Sequence, residues 1–91
     1  MSPEETTPKR IAVIWSPEAR AGVRAIDRQM ALQILSCLDR YLLHREGDVK
    51  KLKPPRTDFR LHCGDYRLFF DPFGENTIRI TGVRHRREAY R

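Results

Sequence analysis

The spacing of hydrophobic residues changes character along the chain. Ile11-Ala12-Val13-Ile14-Trp15 is an unbroken apolar run between polar neighbours, which predicts a short buried strand. Ser16-Pro17-Glu18 then carries the marks of a helix start. A Ser16 hydroxyl can accept a free amide hydrogen, proline suits the first helical position, and a glutamate there favours the positive end of the helix dipole. Gly22 weakens this helix, so it is expected to be short. Asp27 is a second candidate cap. Beyond it, Ala31, Ile34, Leu35, Leu38 and Leu42 recur at helical spacing, with Arg28, Gln29, Gln33, Ser36, Asp39 and Arg40 on the other side. A long amphipathic helix follows, ending near His44–Gly47, with Gly47 as the stop. Its apolar stripe is read as core-facing rather than as a partner site.

Residues 48–55 (DVKKLKPP) read as an irregular basic connection closed by two prolines. After them the period becomes two. Phe59–Cys63 and Tyr66–Phe70 alternate around Gly64-Asp65, the pattern of a β-hairpin with a two-residue turn. Residues 71–76 (DPFGEN) read as a second turn, and Thr77–Val83 as the last strand. The order β-α-α-β-β-β predicts an α+β fold: a small antiparallel sheet packed on two N-terminal helices, with the first strand joining the sheet. Residues 1–8 have the polar, proline-punctuated composition of a disordered leader, which leaves residues 9–91 as a single domain.

Charge sharpens the picture. The 91 residues carry 18 Lys+Arg against 12 Asp+Glu, a net charge of +6. Residues 1–44 hold six basic and five acidic side chains, whereas residues 45–91 hold twelve and seven. The positive field therefore belongs to the second half, and it points to an anionic partner. Cys37 and Cys63 lie in no metal-ligand spacing and read as small buried thiols in a reducing compartment. The longest pure apolar run is five residues, against the ~20 a membrane span needs. A cytoplasmic protein with no membrane association, cofactor or metal is the expectation.

The turn sets the hairpin's register. Cys63 faces Tyr66, His62 faces Arg67, Leu61 faces Leu68, Arg60 faces Phe69 and Phe59 faces Phe70. Phe59, Leu61, Cys63, Tyr66, Leu68 and Phe70 then share the core face, and Arg60, His62, Arg67 and Phe69 the opposite one. No acid falls on these two strands. The face is either the wet side of an ordinary sheet or an anion site. His62 opposite Arg67 is a like-charge pair whenever the imidazole is protonated, and a phosphate between them would relieve it. The chain closes on Arg84-His85-Arg86-Arg87-Glu88-Ala89-Tyr90-Arg91, which is either a solvated basic end or part of a nucleic-acid site.

Gly47-Asp48-Val49-Lys50-Lys51-Leu52, Phe59 to Phe69 with its Gly64-Asp65-Tyr66-Arg67 turn, and Val83 to Tyr90 together resemble the RelE/ParE superfamily of bacterial toxins, over roughly residues 10–91. The resemblance implies the toxin of a type II toxin–antitoxin pair. In RelE-type members it implies a metal-independent endoribonuclease that cuts messenger RNA at the ribosome and so inhibits translation, the ribose 2′-hydroxyl attacking the adjacent phosphate. By motif, Arg60 and His62 match two basic positions of the first hairpin strand. Arg67 matches the arginine of the turn, His85 and Arg86 the basic pair after the last strand, and Tyr90 the terminal tyrosine. Arginine and histidine stand where the best-known members have lysines, and Arg84 where a glycine is common.

On this reading His62 and His85 share the acid–base work, since histidine exchanges protons near neutral pH. Arg67 and Arg86 hold the phosphate, and Tyr90 stacks on a base or assists proton transfer. Arg60, Lys50, Lys51, Lys53, Arg84 and Arg87 contribute RNA affinity. Blander roles stay open: His85 as a cap on the strand end, and Tyr90 as a ring packed on the sheet. Two other functions share the fold, namely a ParE-like inhibitor of DNA gyrase and an RNA-binding member without activity. Either toxin reading implies a cognate antitoxin, acidic or carrying an amphipathic helix or strand.

Overall fold

A sheet that is apolar on one face must be covered on that face, and the two amphipathic helices supply the cover. The computed structural model describes residues 11–89. Its elements are β1 (Ala12–Trp15), α1 (Pro17–Arg24), α2 (Arg28–His44), β2 (Asp48–Lys51), β3 (Phe59–Cys63), β4 (Tyr66–Pro72), β5 (Thr77–His85) and the short α3 (Arg86–Ala89). Both expected caps form. Ser16 Oγ accepts the Ala19 amide at 3.0 Å, and Asp27 Oδ2 accepts the Gln29 amide at 3.1 Å. Arg45, rather than Gly47, stops α2. It takes the left-handed conformation at φ 57°, and its guanidinium donates to the Leu42 carbonyl at 2.8 Å. Gly47 then turns the chain at φ 142°, with its Cα tight against Leu61.

The five strands form one mixed sheet in the order β1-β5-β4-β3-β2. β1 runs parallel to β5, and the remaining pairs are antiparallel. The β3–β4 register is the one the turn predicts, from Phe59 opposite Phe70 to Cys63 opposite Tyr66. Leu61, Cys63, Leu68, Phe70, Ile78 and Ile80 pack with Ala19 of α1 and with Ile34 and Leu38 of α2. Phe70 anchors this layer, stacked on Phe59 at 5.5 Å and tilted against Tyr41 at 5.8 Å.

Several expectations are corrected. β1 is a sheet edge rather than a buried strand: Val13 and Trp15 pack on the core, while Ala12 and Ile14 point outward and are exposed. The connection after α2 begins as a strand. Asp48–Lys51 pairs with His62–Phe59, because Val49 reaches the core and the prolines fall beyond the paired residues. β4 and β5 run on to Pro72 and His85, locked across the strands by Arg79 and Asp71. The cysteines are not free thiols. Cys37 on α2 and Cys63 on β3, with Cα atoms 5.9 Å apart, form a disulfide that ties the helix to the hairpin. Among the described residues no helix is long and apolar enough to cross a membrane. The leader expected at residues 1–8 lies outside the described residues.

Closing a loop with a sequence separation of 26 restricts the unfolded chain. The bridge is therefore expected to contribute about 3–4 kcal/mol. Urea unfolding with and without dithiothreitol checks this, and an unchanged midpoint would contradict it. Gly47→Ala forces a Cβ to within 3.0 Å of Leu61 at a positive φ and should cost about 1–3 kcal/mol in the same measurement.

Candidate active site

The face of the sheet turned away from α1 and α2 carries the polar residues of β2 to β5 in rows. Cross-strand pairing aligns Asp48, His62, Arg67 and Arg84 across four strands. The next row aligns Lys50, Arg60, Phe69 and Gly82. Residues directly opposite one another share a face, so these eight line one surface. The sequence reading thus finds Arg60, His62 and Arg67 together, with Lys50 and Arg84 beside them.

His62 and Arg67 meet at one oxygen. The Gly64 carbonyl accepts from Arg67 Nη1 at 3.2 Å and lies 2.8 Å from His62 Nε2. A carbonyl only accepts, so Nε2 carries a proton here. Arg67 Nη1 also donates to the Tyr66 carbonyl at 3.2 Å, and Arg67 is buried. Nδ1 of His62 faces the Asp48 carboxylate at 3.5 Å. Both ring nitrogens therefore look at acceptors. The expected conflict with Arg67 is relieved within the protein, by Gly64 and Asp48. The face also has a nearby acid after all, supplied by β2, which the sequence reading had left irregular.

The sheet divides the two histidines. Between Phe69 and Phe70 of β4 the pairing skips Thr81 of β5, a β-bulge. Thr81 Oγ1 donates to the Phe69 carbonyl at 3.2 Å, and Ser16 Oγ donates to the Thr81 carbonyl at 3.4 Å. The extra residue reverses the alternation. Ile78 and Ile80 face the helices before it, whereas Val83 and His85 do so after it, and Arg84 turns to the outer face. His85 stands opposite Tyr66, its ring edge-on at 5.3 Å, and its Nδ1 accepts the Arg87 amide at 3.3 Å. It thus serves as a cap at the start of α3 on the face opposite His62, and the sheet does not bring the two imidazoles together.

Arg86 begins α3 beside the hairpin turn. Its amide donates to the Asp65 carbonyl at 2.7 Å, and its guanidinium lies 3.9 Å from the Asp65 carboxylate. His62, Arg67 and Arg86 therefore all converge on Gly64-Asp65. Lys51 and Lys53 are exposed at the β2 edge and in the following loop, away from this cluster, and Arg87 is exposed on α3. Tyr90 lies outside the described residues.

The sequence reading passed over several residues of this face. Arg56 lays its guanidinium over the Phe69 ring at 5.1 Å and pairs with Asp58. Asp71 holds Arg79 with two hydrogen bonds, 3.2 and 2.8 Å, and raises its pKa above the ordinary arginine value, chiefly through that hydrogen bonding and then through charge. Only the register of β5 could have disclosed Gly82, where an added Cβ would meet nothing within 4 Å. It leaves an open hollow beside Phe69, flanked by Arg60, Arg67 and Arg84. Among the described residues Lys50 and Arg84 form no ion pair. No cluster of three or more His, Cys, Asp or Glu among the described residues could hold a metal ion.

The fold has close counterparts. The chain superimposes on a chain of the RelB–RelE antitoxin–toxin complex from Methanococcus jannaschii with a TM-score of 0.69 and 20% identity, covering 85% of this chain and 94% of that one. For the RelE–RelB complex from Pyrococcus horikoshii the TM-score is 0.68 at 20% identity, over 86% and 97%. For the YoeB dimer from Staphylococcus aureus it is 0.64 at 22% identity, over 85% and 98%. No curated protein matches the chain significantly in sequence. The family described as ParE toxin of type II toxin-antitoxin system, parDE, matches residues 13–90. With nearly its whole length matched and its α+β fold shared, the chain belongs to the ParE toxin family of type II toxin–antitoxin systems, within the RelE/ParE superfamily.

Proposed function

We propose that this toxin is a metal-independent endoribonuclease that cuts messenger RNA, in association with the ribosome, and so inhibits translation. The observation that carries the reading is the row Asp48–His62–Arg67–Arg84 on the outer face, with His62 and Arg67 meeting at the Gly64 carbonyl. Cleavage needs positive charge around the phosphorane-like transition state and a proton for the departing 5′-oxygen. Arg67 and Arg84, with Arg60 in the next row and Arg86 at the turn, supply the charge. His62 supplies the proton. Its ring is oriented between the Asp48 carboxylate and the Gly64 carbonyl, and exchanging that carbonyl for the leaving oxygen sets Nε2 as the general acid. The 2′-oxygen bonds to phosphorus as the P–O5′ bond breaks, giving a 2′,3′-cyclic phosphate and a 5′-hydroxyl, while the 2′-hydroxyl proton passes to solvent. His85 has no acid–base part in this scheme, which replaces the shared role expected from the sequence. By motif, Tyr90 stacks on a base or assists proton transfer.

A cognate antitoxin is part of the proposal, as the RelE neighbours are complexes with RelB. A cationic outer face is best covered by an acidic segment. The proposal places the toxin in the cytoplasm, where its message substrate is. The second reading, inhibition of DNA gyrase through protein contact, is favoured by the family match itself.

Ribosome-bound message and supercoiled plasmid with gyrase separate the two. His62→Gln should lower message cleavage about 10²–10⁴-fold with folding retained, and gyrase should be unaffected by the wild type. Equal cutting by wild type and variant, or gyrase inhibition without cleavage, would reject the ribonuclease reading. Gly82→Ala adds a methyl group beside Phe69. Thermal unfolding should show stability kept or raised, since a Cβ there meets nothing within 4 Å and glycine is a weak strand residue, while cleavage falls. Undiminished cleavage would exclude the hollow from the substrate path.

A further inference from the structure

The sheet is notched where β3 outruns β2. β2 begins at Asp48, opposite His62, so Cys63 and Gly64 have no β2 neighbour. Across this uncovered edge lies α2, which presents Gln33, Ser36, Cys37 and Arg40 at i, i+3, i+4 and i+7, one stripe of a helix. A groove of about 340 Å³ opens between them, lined by Gln33, Ser36, Arg40, His62 and Gly64, and its two walls are tied by the Cys37–Cys63 bridge. It adjoins a smaller hollow of about 150 Å³, where Glu46 joins Arg40 and His62.

His62 lines both the groove and the outer face. A strand crossing the outer face therefore enters the groove at the proposed general acid. The groove's size falls at the lower end for small-ligand sites, and its lining is mixed, with Gln33, Ser36 and Arg40 as its polar groups and His62 as its one ring. A base there would be held chiefly by hydrogen bonds from α2. Ser36 and Gln33 each offer a donor and an acceptor, the equipment for reading a base edge. Arg40 forms no ion pair among the described residues, and guanidinium suits phosphate. Glu46 lines the smaller hollow but not the groove, so a phosphate on Arg40 belongs on its groove side.

We propose that this groove is a second nucleotide subsite, in which Arg40 binds the phosphate next to the scissile one and Gln33 and Ser36 hydrogen-bond the neighbouring base. The assignment rests on the ribonuclease reading. It makes α2 a determinant of sequence preference, although this stripe lies away from the basic tail and hairpin motifs.

Fluorescence anisotropy tests it with two oligoribonucleotides, a dinucleotide and a tetranucleotide, each 2′-deoxy at the scissile position so that neither is cut. Arg40→Ala should weaken tetranucleotide binding about tenfold and lower its salt dependence by roughly one phosphate contact. Dinucleotide binding and thermal stability should be unchanged, since Arg40 is exposed. Arg40→Lys should restore the salt dependence but only part of the affinity. If both oligonucleotides bind and Arg40→Ala leaves the tetranucleotide unaffected, or weakens both equally, the groove is not a subsite although the ribonuclease reading stands. Binding of neither by the wild type, with ribosome-bound message still cut, would reject the subsite alone, whereas no binding and no cutting would overturn both.

Discussion

With Gly64 at a φ of 63°, the two-residue turn closes one pairing between β3 and β4, and that pairing assigns every neighbouring side chain to a face. A slip of one residue would bury Arg60 and His62 and expose Leu61 and Cys63. The slip is opposed by Leu61 and Leu68, which are fully buried opposite each other. The same turn supplies the Gly64 carbonyl that orients His62 and Arg67, and the Asp65 carbonyl that receives the Arg86 amide. One tight turn thus fixes the core and gathers the cationic groups.

The bulge at Thr81 is the second constraint, and it acts on the C-terminal half of β5. Strict alternation from Ile78 would place Arg84 against the helices and His85 on the outer face. The extra residue exchanges them. Burying Val83 against Gly22 of α1 and setting His85 edge-on to Tyr66 are the structural returns of that exchange. The exchange also sets the Arg84 guanidinium opposite Arg67 on the outer face.

The helices, their caps and the hairpin register were legible in the sequence because each rests on local chemistry: Ser16, Asp27, the apolar repeat from Ala31 to Leu42, and the Gly64 turn. What was not legible depends on partners distant in the chain. β2 hid behind Pro54 and Pro55, since Val49 is its lone core residue and only pairing with β3 makes the segment a strand. The Asp48 contact to His62 was hidden with it. The bulge's one mark in TIRITGVRH is Gly82 beside Thr81, and a glycine alone does not fix a register, so the faces of Arg84 and His85 could not be read. The disulfide required knowing that α2 crosses β3 at Cys63. Motif resemblance groups His85 with His62 by sequence position, whereas strand parity sets the two on opposite faces of the sheet.

On this account, positive charge on the outer face is divided by function. Asp71 holds Arg79 and Asp58 holds Arg56, so these arginines chiefly lock strands and shield Phe69. His62 and Arg86, beside Gly64-Asp65, are held more loosely, by carboxylates at 3.5 and 3.9 Å, and a phosphate can replace those contacts. The most direct test of this division is an NMR titration with an uncleavable oligoribonucleotide, following the side-chain signals of the histidines and arginines. The account predicts saturable shifts at His62, Arg60, Arg67 and Arg84, with His85 and Arg79 unmoved. Shifts centred on His85, with His62 and Arg67 silent, would contradict it.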